Sequence, residues 1–231
     1  MILQLVERDG LSIKKFAVMG SPNIGIYSLT TDRFAVLPAG IPRRKIAGVE
    51  DVLKVSVAAL DIGCSKLIGV LAAANSYGIV LPHYTAEREV TTLRKRLKIN
   101  VAIVHSTKTA LGNLVLSNDK GTLASPIFSQ RELKVLEDAL SVEVATGSIA
   151  GQPLPGSLAA ATNKGVLVHP LASEDEKKQI LEVMKVPVNT GTVNGGVIYI
   201  SSGILINSHG ALVGSATAGS ELMVISSLLQ Q

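Results

Sequence analysis

The chain has 231 residues, 47% of them hydrophobic and 17% charged, a formal net charge of +4 and a mean hydropathy of +0.38. Its apolar residues fall in short runs, none near the roughly 18 to 20 that a membrane helix requires, so helical membrane spans are excluded and many short buried strands are predicted. One cysteine, Cys64, excludes an internal disulfide, no Cys/His spacing fits a zinc module, and residues 1–10 carry no basic leader or cleavage site. A cytoplasmic protein with no metal or cofactor, and with no feature that needs an oligomer, is the resulting expectation.

In chain order, the first predicted strand lies within residues 12–19. A repeated pattern then begins: glycine opens an apolar run, Asn or Asp marks a turn, a second apolar run mostly ends in Pro, and a helix follows. The first copy, from Gly25 through Asp32-Arg33 to Pro38, is the most degraded. In the second, residues 68–74 and 79–81 are apolar runs around Asn75-Ser76-Tyr77-Gly78, a turn in which Asn and Gly tolerate positive φ. Residues 86–97 then place Val90, Leu93 and Leu97 at helical spacing, with Arg88, Arg94, Lys95 and Arg96 on other faces, and residues 100–104 read as a strand. The unit is β-β-α-β.

The third and fourth copies open at Gly112 and Gly156. Ser129 precedes Glu132, and Ser173 precedes Glu176, at capping-box spacing, which predicts two helix starts. Stripes of Leu133, Leu136 and Leu140, and of Ile180, Leu181 and Met184, follow as core, and residues 142–145 and 186–189 supply closing strands. The fifth copy opens at Gly203 and its helix, residues 220–229, leaves no chain for a closing strand. Opening glycines therefore recur at intervals of 44, 43, 44 and 47 residues, the signature of a repeat architecture. A strand from residues 12–19 pairing into the fifth unit would remove the open edges. The prediction is one domain, residues 1–231, forming a closed α/β ring of five units with strands nearer the axis. The units span approximately 1–60, 61–105, 106–147, 148–194 and 195–231.

Charge is uneven along the ring. Residues 1–110 hold 15 Lys/Arg against 8 Asp/Glu, whereas residues 111–231 hold 7 against 10. The excess sits in Lys14-Lys15, Arg43-Arg44-Lys45 and Arg94-Lys95-Arg96-Leu97-Lys98, which suits an anionic partner such as RNA or, equally, solvated faces. With no Trp, 3 Phe and 4 Tyr, the aromatics argue against base stacking, and any nucleic-acid contact is expected to be to phosphates and to weaken steeply with salt.

Several inter-repeat segments, in this order, resemble archaeal and eukaryotic translation initiation factor 6. They are Asp61-Ile62-Gly63-Cys64-Ser65-Lys66-Leu67-Ile68-Gly69, Ala110-Leu111-Gly112-Asn113, Gly165-Val166-Leu167-Val168-His169-Pro170, Val186-Pro187-Val188-Asn189-Thr190-Gly191-Thr192-Val193-Asn194-Gly195-Gly196, Ser202-Gly203-Ile204-Leu205-Ile206-Asn207 and Gly219-Ser220-Glu221-Leu222. The resemblance implies a five-bladed α/β propeller of the pentein kind with pseudo-fivefold symmetry. It implies a monomeric, non-catalytic factor that binds the intersubunit face of the large ribosomal subunit, beside the sarcin-ricin loop and a ribosomal protein, and blocks the small subunit sterically. No DNA or membrane partner is implied. The chain runs no further than its fifth helix, as archaeal members do.

On the matching motifs, Lys66, Asn113, Thr192, Val193 and Asn194 are the expected contact residues, and the long Gly191–Gly196 junction is the leading unique surface feature. The same five-unit architecture also serves enzymes that modify guanidino groups, which resemble one another in using a late cysteine nucleophile. Here the corresponding loop reads Gly210-Ala211-Leu212-Val213-Gly214-Ser215, without cysteine. Cys64 reads as a small buried thiol, His209 as an exposed turn residue, and the four histidines His83, His105, His169 and His209 as scattered along the chain with no nearby carboxylate pairing, which disfavours a metal site. The glycine-rich segment at 191–196 lacks the Lys-Ser/Thr ending of a phosphate loop, which disfavours nucleotide binding.

Overall fold

The computed structural model describes the backbone of residues 4–8 and 11–231 and side chains from residue 12 onward, so the leader expectation for residues 1–10 rests on side chains outside the described residues. Two strands lead the chain, β1 (Gln4–Arg8) and β2 (Leu11–Phe16). Unit one comprises α1 (Ile24–Tyr27), β3 (Leu29–Thr30), β4 (Phe34–Leu37), α2 (Arg43–Leu53) and β5 (Ser56–Ala59). Unit two has α3 (Ile68–Leu71), β6 (Ala73–Ala74), β7 (Gly78–Pro82), α4 (Glu87–Leu97) and β8 (Asn100–Val104). Unit three has α5 (Leu111–Leu114), β9 (Val115–Ser117), β10 (Thr122–Ala124), α6 (Gln130–Leu140) and β11 (Val144–Thr146). Unit four has α7 (Pro155–Leu158), β12 (Ala159–Ala161), β13 (Val166–Val168), α8 (Glu174–Met184) and β14 (Val188–Thr190). Unit five has a 3-10 turn (Ile200–Gly203), β15 (Ile204–Asn207), β16 (Gly210–Gly214) and α9 (Gly219–Leu229).

Five separate small sheets result, one per unit. In each, an antiparallel hairpin is joined by a third strand running parallel to the hairpin's second strand. In the fifth sheet that third strand is β2, paired in parallel with β16 from Gly210↔Ser12 to Gly214↔Phe16. Five apolar clusters lie between neighbouring units. For example, Phe34 and Val36 of unit one pack with Ile68, Ile79 and Leu93 of unit two.

The opening glycines lie in the short helices, not in strands as expected. They turn around the axis, where backbones pass so closely that a side chain has no room. A Cβ on Gly69 would overlap the carbonyl oxygen of Gly25, one on Gly112 that of Gly69, and one on Gly156 that of Gly112. A Cβ on Gly25 would overlap the carbonyl of Ser201, which closes the circle. The fifth counterpart of the opening glycines is therefore Ser201 rather than Gly203, and the last interval is 45 residues rather than 47.

The hairpin turns also have a different cause from the one expected. Asn75 is not in the left-handed region; its side-chain oxygen accepts the backbone N–H groups of Tyr77 and Gly78 at 3.0 and 3.2 Å. Asn118 and Asn207 do the same, and Thr31 and Thr162 use their hydroxyls. The three asparagines have a spare N–H₂ that donates to the next unit: Asn75 to Asn118 and Leu140 carbonyls, Asn118 to those of Thr162 and Met184, and Asn207 to those of Thr31 and Leu53. One residue type thus shapes a turn and fastens two units together.

The strand directions give the ring two ends. Hairpin turns and the C-termini of α2, α4, α6, α8 and α9 lie at one end, the turn face. The inter-unit junctions and the loops that start those helices lie at the other, the junction face. At the turn face, residues at equivalent positions meet about the axis: Asn163 donates to both Asp32 and Asp119 at 2.7 Å, and Ser208 donates to Asp32.

Candidate docking face

Four inter-unit junctions on the junction face are tight reversals, closed by bridges Val18↔Ser21, Ile62↔Ser65, Ile149↔Gln152 and Val193↔Val197. Their tips are left-handed: Met19 and Gly20, Gly63 and Cys64, Ala150 and Gly151, and Asn194 with Gly195 and Gly196. This is where positive φ is required, so the glycines in these motifs mark the junctions. The fifth junction has one residue more between its bridged positions.

Each tip is held from below by the third residue of a helix. Glu89 accepts Gly63 N–H at 2.8 Å, Glu176 accepts Ala150 and Gly151 N–H at 2.9 and 3.0 Å, and Glu221 accepts Gly195 and Gly196 N–H at 2.9 Å. The same carboxylates accept the N–H at the N-cap of their own helices. Ser173 completes the box as predicted, as does Ser129 with Glu132, whereas Ala86 and Ala218 have no side-chain acceptor and supply only half of it. In unit three, Glu132 instead binds Lys108 of the junction at 2.9 Å, and in unit one Lys45 replaces the acid and donates to the carbonyl of Ala17 at 2.6 Å. Burial pushes the Glu132 carboxyl up, but hydrogen bonds from Ser106, Ser129 and Lys108 outweigh it and hold its pKa at about 2. Burial likewise opposes, and hydrogen bonds to the loop N–H groups lower, the pKa values of Glu176 and Glu221.

A cavity of about 390 Å³ opens on this face, bordered by Asn23, Leu154, Val197 and Tyr199. Around it stand Ile26, Val70, Asn113, Ser157 and Ser202, one from each unit, each directly after the position of the opening glycine. The fifth equivalent of Asn113 is therefore Ser202, not Ile204, and two serines share its polarity. The face is apolar at its rim. Among the large hydrophobic side chains left exposed, Met19 and Leu67 stand on junctions, Tyr84, Ile127 and Leu171 on helix-starting loops, and Ile198 and Tyr199 just past the long fifth junction.

The predicted contact residues divide between this surface and its supports. Asn113 lines the cavity, and among the described residues its side chain has no hydrogen-bond partner within the chain. Lys66 is half-exposed on the second junction and donates to the carbonyl of Ala39 at 3.0 Å. Val193 is 0% exposed, its side chain turned into the fifth apolar cluster, so it cannot face a partner. Thr192 donates to Glu221 at 2.6 Å, and Asn194 donates to the carbonyl of Pro22 at 3.0 Å, tying the fifth unit to the first. These three hold the loop in place; what the loop exposes is Gly195, Gly196, Ile198 and Tyr199. Sequence reasoning does not find Ile198 and Tyr199, because nothing in the sequence distinguishes an exposed apolar pair from a buried one.

Cys64 is exposed, against expectation, because it occupies a left-handed tip that points it outward. His209 is exposed as expected, whereas His169 is buried, its Nδ1 accepting Leu171 N–H at 2.9 Å. Among the described residues no three His, Cys, Asp or Glu side chains could hold a metal ion, and no helix is long and apolar enough to cross a membrane.

Residues 13–228 match the model of the eIF-6 family. A translation initiation factor 6 of Pyrococcus furiosus is 45% identical over 95% of this chain and 99% of its own length. One of Nitrosopumilus maritimus is 46% identical over 93% of this chain and 97% of its own. Among solved structures, the N-terminal domain of an ArgZ variant, bound covalently to a reaction intermediate, is 14% identical over 73% of this chain and 67% of its own, with a TM-score of 0.46, too slight to carry argument. The family and the relatives bear the names of a translation factor and not of an enzyme. Matched by the family model over residues 13–228 and by relatives 45% and 46% identical over nearly their whole length, this α/β ring of five repeated units belongs to the eIF-6 family of translation initiation factors.

Proposed function

We propose that the chain is a ribosome anti-association factor that docks its junction face on the intersubunit side of the large ribosomal subunit, near the sarcin-ricin loop and a ribosomal protein, and blocks the small subunit by occupying space. It acts as a cytoplasmic monomer and stoichiometrically. The observation that carries this reading is the composition of the junction face: a cavity ringed by one residue from each unit, an unpartnered Asn113 amide inside it, and exposed apolar side chains around it. Apolar anchors beside a free polar group are what a specific protein or RNA surface can engage. Junction tips clamped by Glu89, Glu176 and Glu221 lose little freedom on docking, which favours binding. Lys66 and Asn113 make contacts, with Ile198 and Tyr199 added to them, while Thr192, Val193 and Asn194 preserve the loop's shape.

Sucrose-gradient sedimentation with purified archaeal subunits tests this. Movement with the large subunit alone, and fewer joined ribosomes, is the expected result, and Asn113→Arg should abolish both in a folded protein. Absence of large-subunit binding at low salt would refute the proposal.

A further inference from the structure

Apart from the half-buried Lys15, two of the three basic clusters are consumed by the fold or placed on the junction face. Lys14 pairs with Asp51 at 2.7 Å, Lys45 holds the carbonyl of Ala17, and Arg43 and Arg44 stand at the junction-face start of α2. The third is different. Arg94, Lys95, Arg96 and Lys98 are exposed at the turn-face end of α4; Arg94 donates to the carbonyl of Val101 at 2.9 Å, and among the described residues none of the four makes an ion pair.

Basic residues at a helix C-terminus favour the helix dipole, but the repeat shows that this ring does not need them. Helices α2, α6, α8 and α9 occupy the same position in their units, and none has a basic residue in its last turn, although Lys54 and Lys185 cap α2 and α8 as Lys98 caps α4; Arg94, Lys95 and Arg96 are what the second unit alone carries. The second unit is also singular at the adjoining hairpin. Where the other turns carry Arg33, Lys120, Lys164 and His209, it carries Tyr77, which is 45% exposed. Tyr77 is next to the cluster: its carbonyl accepts the N–H of Asn100, two residues past Lys98, at 3.0 Å. Arg33 reaches the same turn from unit one, donating to the carbonyl of Ser76 at 3.1 Å.

We propose that this corner, formed by Tyr77 with Arg94, Lys95, Arg96 and Lys98, is an RNA-binding site separate from the junction face. The cations meet successive phosphates and the tyrosine ring stacks one base, a combination suited to single-stranded RNA and tolerant of sequence. A bilayer surface fits less well, because Val90 and Leu93 of α4 face the core and Leu97 packs half-buried against it, which leaves no fully exposed apolar side chain in that turn to insert. Being at the opposite end of the ring from the junction face, the corner stays accessible when that face is occupied.

The test is fluorescence anisotropy with a labelled single-stranded RNA of about 20 nucleotides, titrated across salt concentrations. Wild type should bind with an affinity that falls steeply with salt, and Lys95→Gln/Arg96→Gln/Lys98→Asn should reduce the log–log slope by about 2. Tyr77→Ala should weaken binding about tenfold with the slope unchanged. Lys134→Gln/Lys177→Gln/Lys178→Gln, an equal loss of charge on other helices, should leave the slope as it is. Absence of RNA binding at low salt, an equal effect of the two triple variants, or binding to phosphatidylserine vesicles in place of RNA would overturn the proposal. Circular dichroism of each variant confirms folding, and the subunit sedimentation above should be unaffected, so the two proposals fail independently.

Discussion

A glycine at negative φ with no neighbour to clash with is replaceable, whereas Gly25, Gly69, Gly112 and Gly156 each face a carbonyl of the preceding unit across a gap that has no space for a methyl group. Gly69→Ala must push the second short helix away from the first, and such overpacking costs about 3 kcal/mol or more. Urea unfolding should show that loss, while Gly219→Ala, where nothing lies within 4 Å, should change stability by less than about 1 kcal/mol. These glycines were legible in the sequence as a period, but the reason for them was not. A glycine can permit an unusual φ or permit contact, and only the approach of a distant carbonyl tells which. The same limit misassigned Gly203, because the sequence aligns letters while the axis aligns backbones, and Ser201 holds the place.

Five long helices share a length of 11 residues and a start on the junction face, and the acid at the third position of four of them joins helix to loop. That gives three of these elements, α6, α8 and α9, a shared response to acid. The Glu132 carboxyl titrates at about 2 in the fold against 4.5 as its ordinary value. Its stabilising contribution is therefore complete above about pH 4.5 and is lost as pH falls through about 2. Glu176 and Glu221, both lowered, act in the same direction. Unfolding free energy measured from pH 6 to pH 2 should decline over that window, and Glu132→Gln should flatten the decline while reducing stability at pH 6 by about 1 kcal/mol. At this scale sequence and structure agree well. Ser129 with Glu132 and Ser173 with Glu176 announce their helices because a capping box is a local interaction, complete within four residues. The closing strands begin two residues later than expected because Ser141 and Lys185 end their helices in the left-handed conformation.

Over the whole molecule, a period plus a missing final strand was enough to read a closed ring, since an unpaired strand edge has few remedies. Removing residues 1–16 would leave β16 with a bare parallel edge in place of its pairing with β2. Size-exclusion chromatography should then show self-association beyond that of the full-length chain. The junction face was less legible. The motifs pointed to Asn113 and Lys66, which the structure places on that face, but the apolar rim is assembled from loops of all five units, and exposure is a property of their arrangement rather than of any one of them. The repeat helped by exclusion: what Tyr77, Lys95 and Arg96 have in the second unit is conspicuous because their counterparts lack it.

The seam between β2 and β16 also orders events in time. Residues 11–16 leave the synthesising ribosome long before their partners at 210–214 exist, an interval of about 10 to 40 s at ordinary elongation rates. Four units can assemble as they emerge, each interlocked with its predecessor through the short-helix glycines, and with asparagine turns fastening the second unit to the third and the third to the fourth. Strand β2 must wait with one edge unsatisfied, and the last turn, through Asn207 and Thr31, latches only once the fifth hairpin has been made. Emergence of β16 from the ribosome is therefore the earliest moment at which this ring can exist.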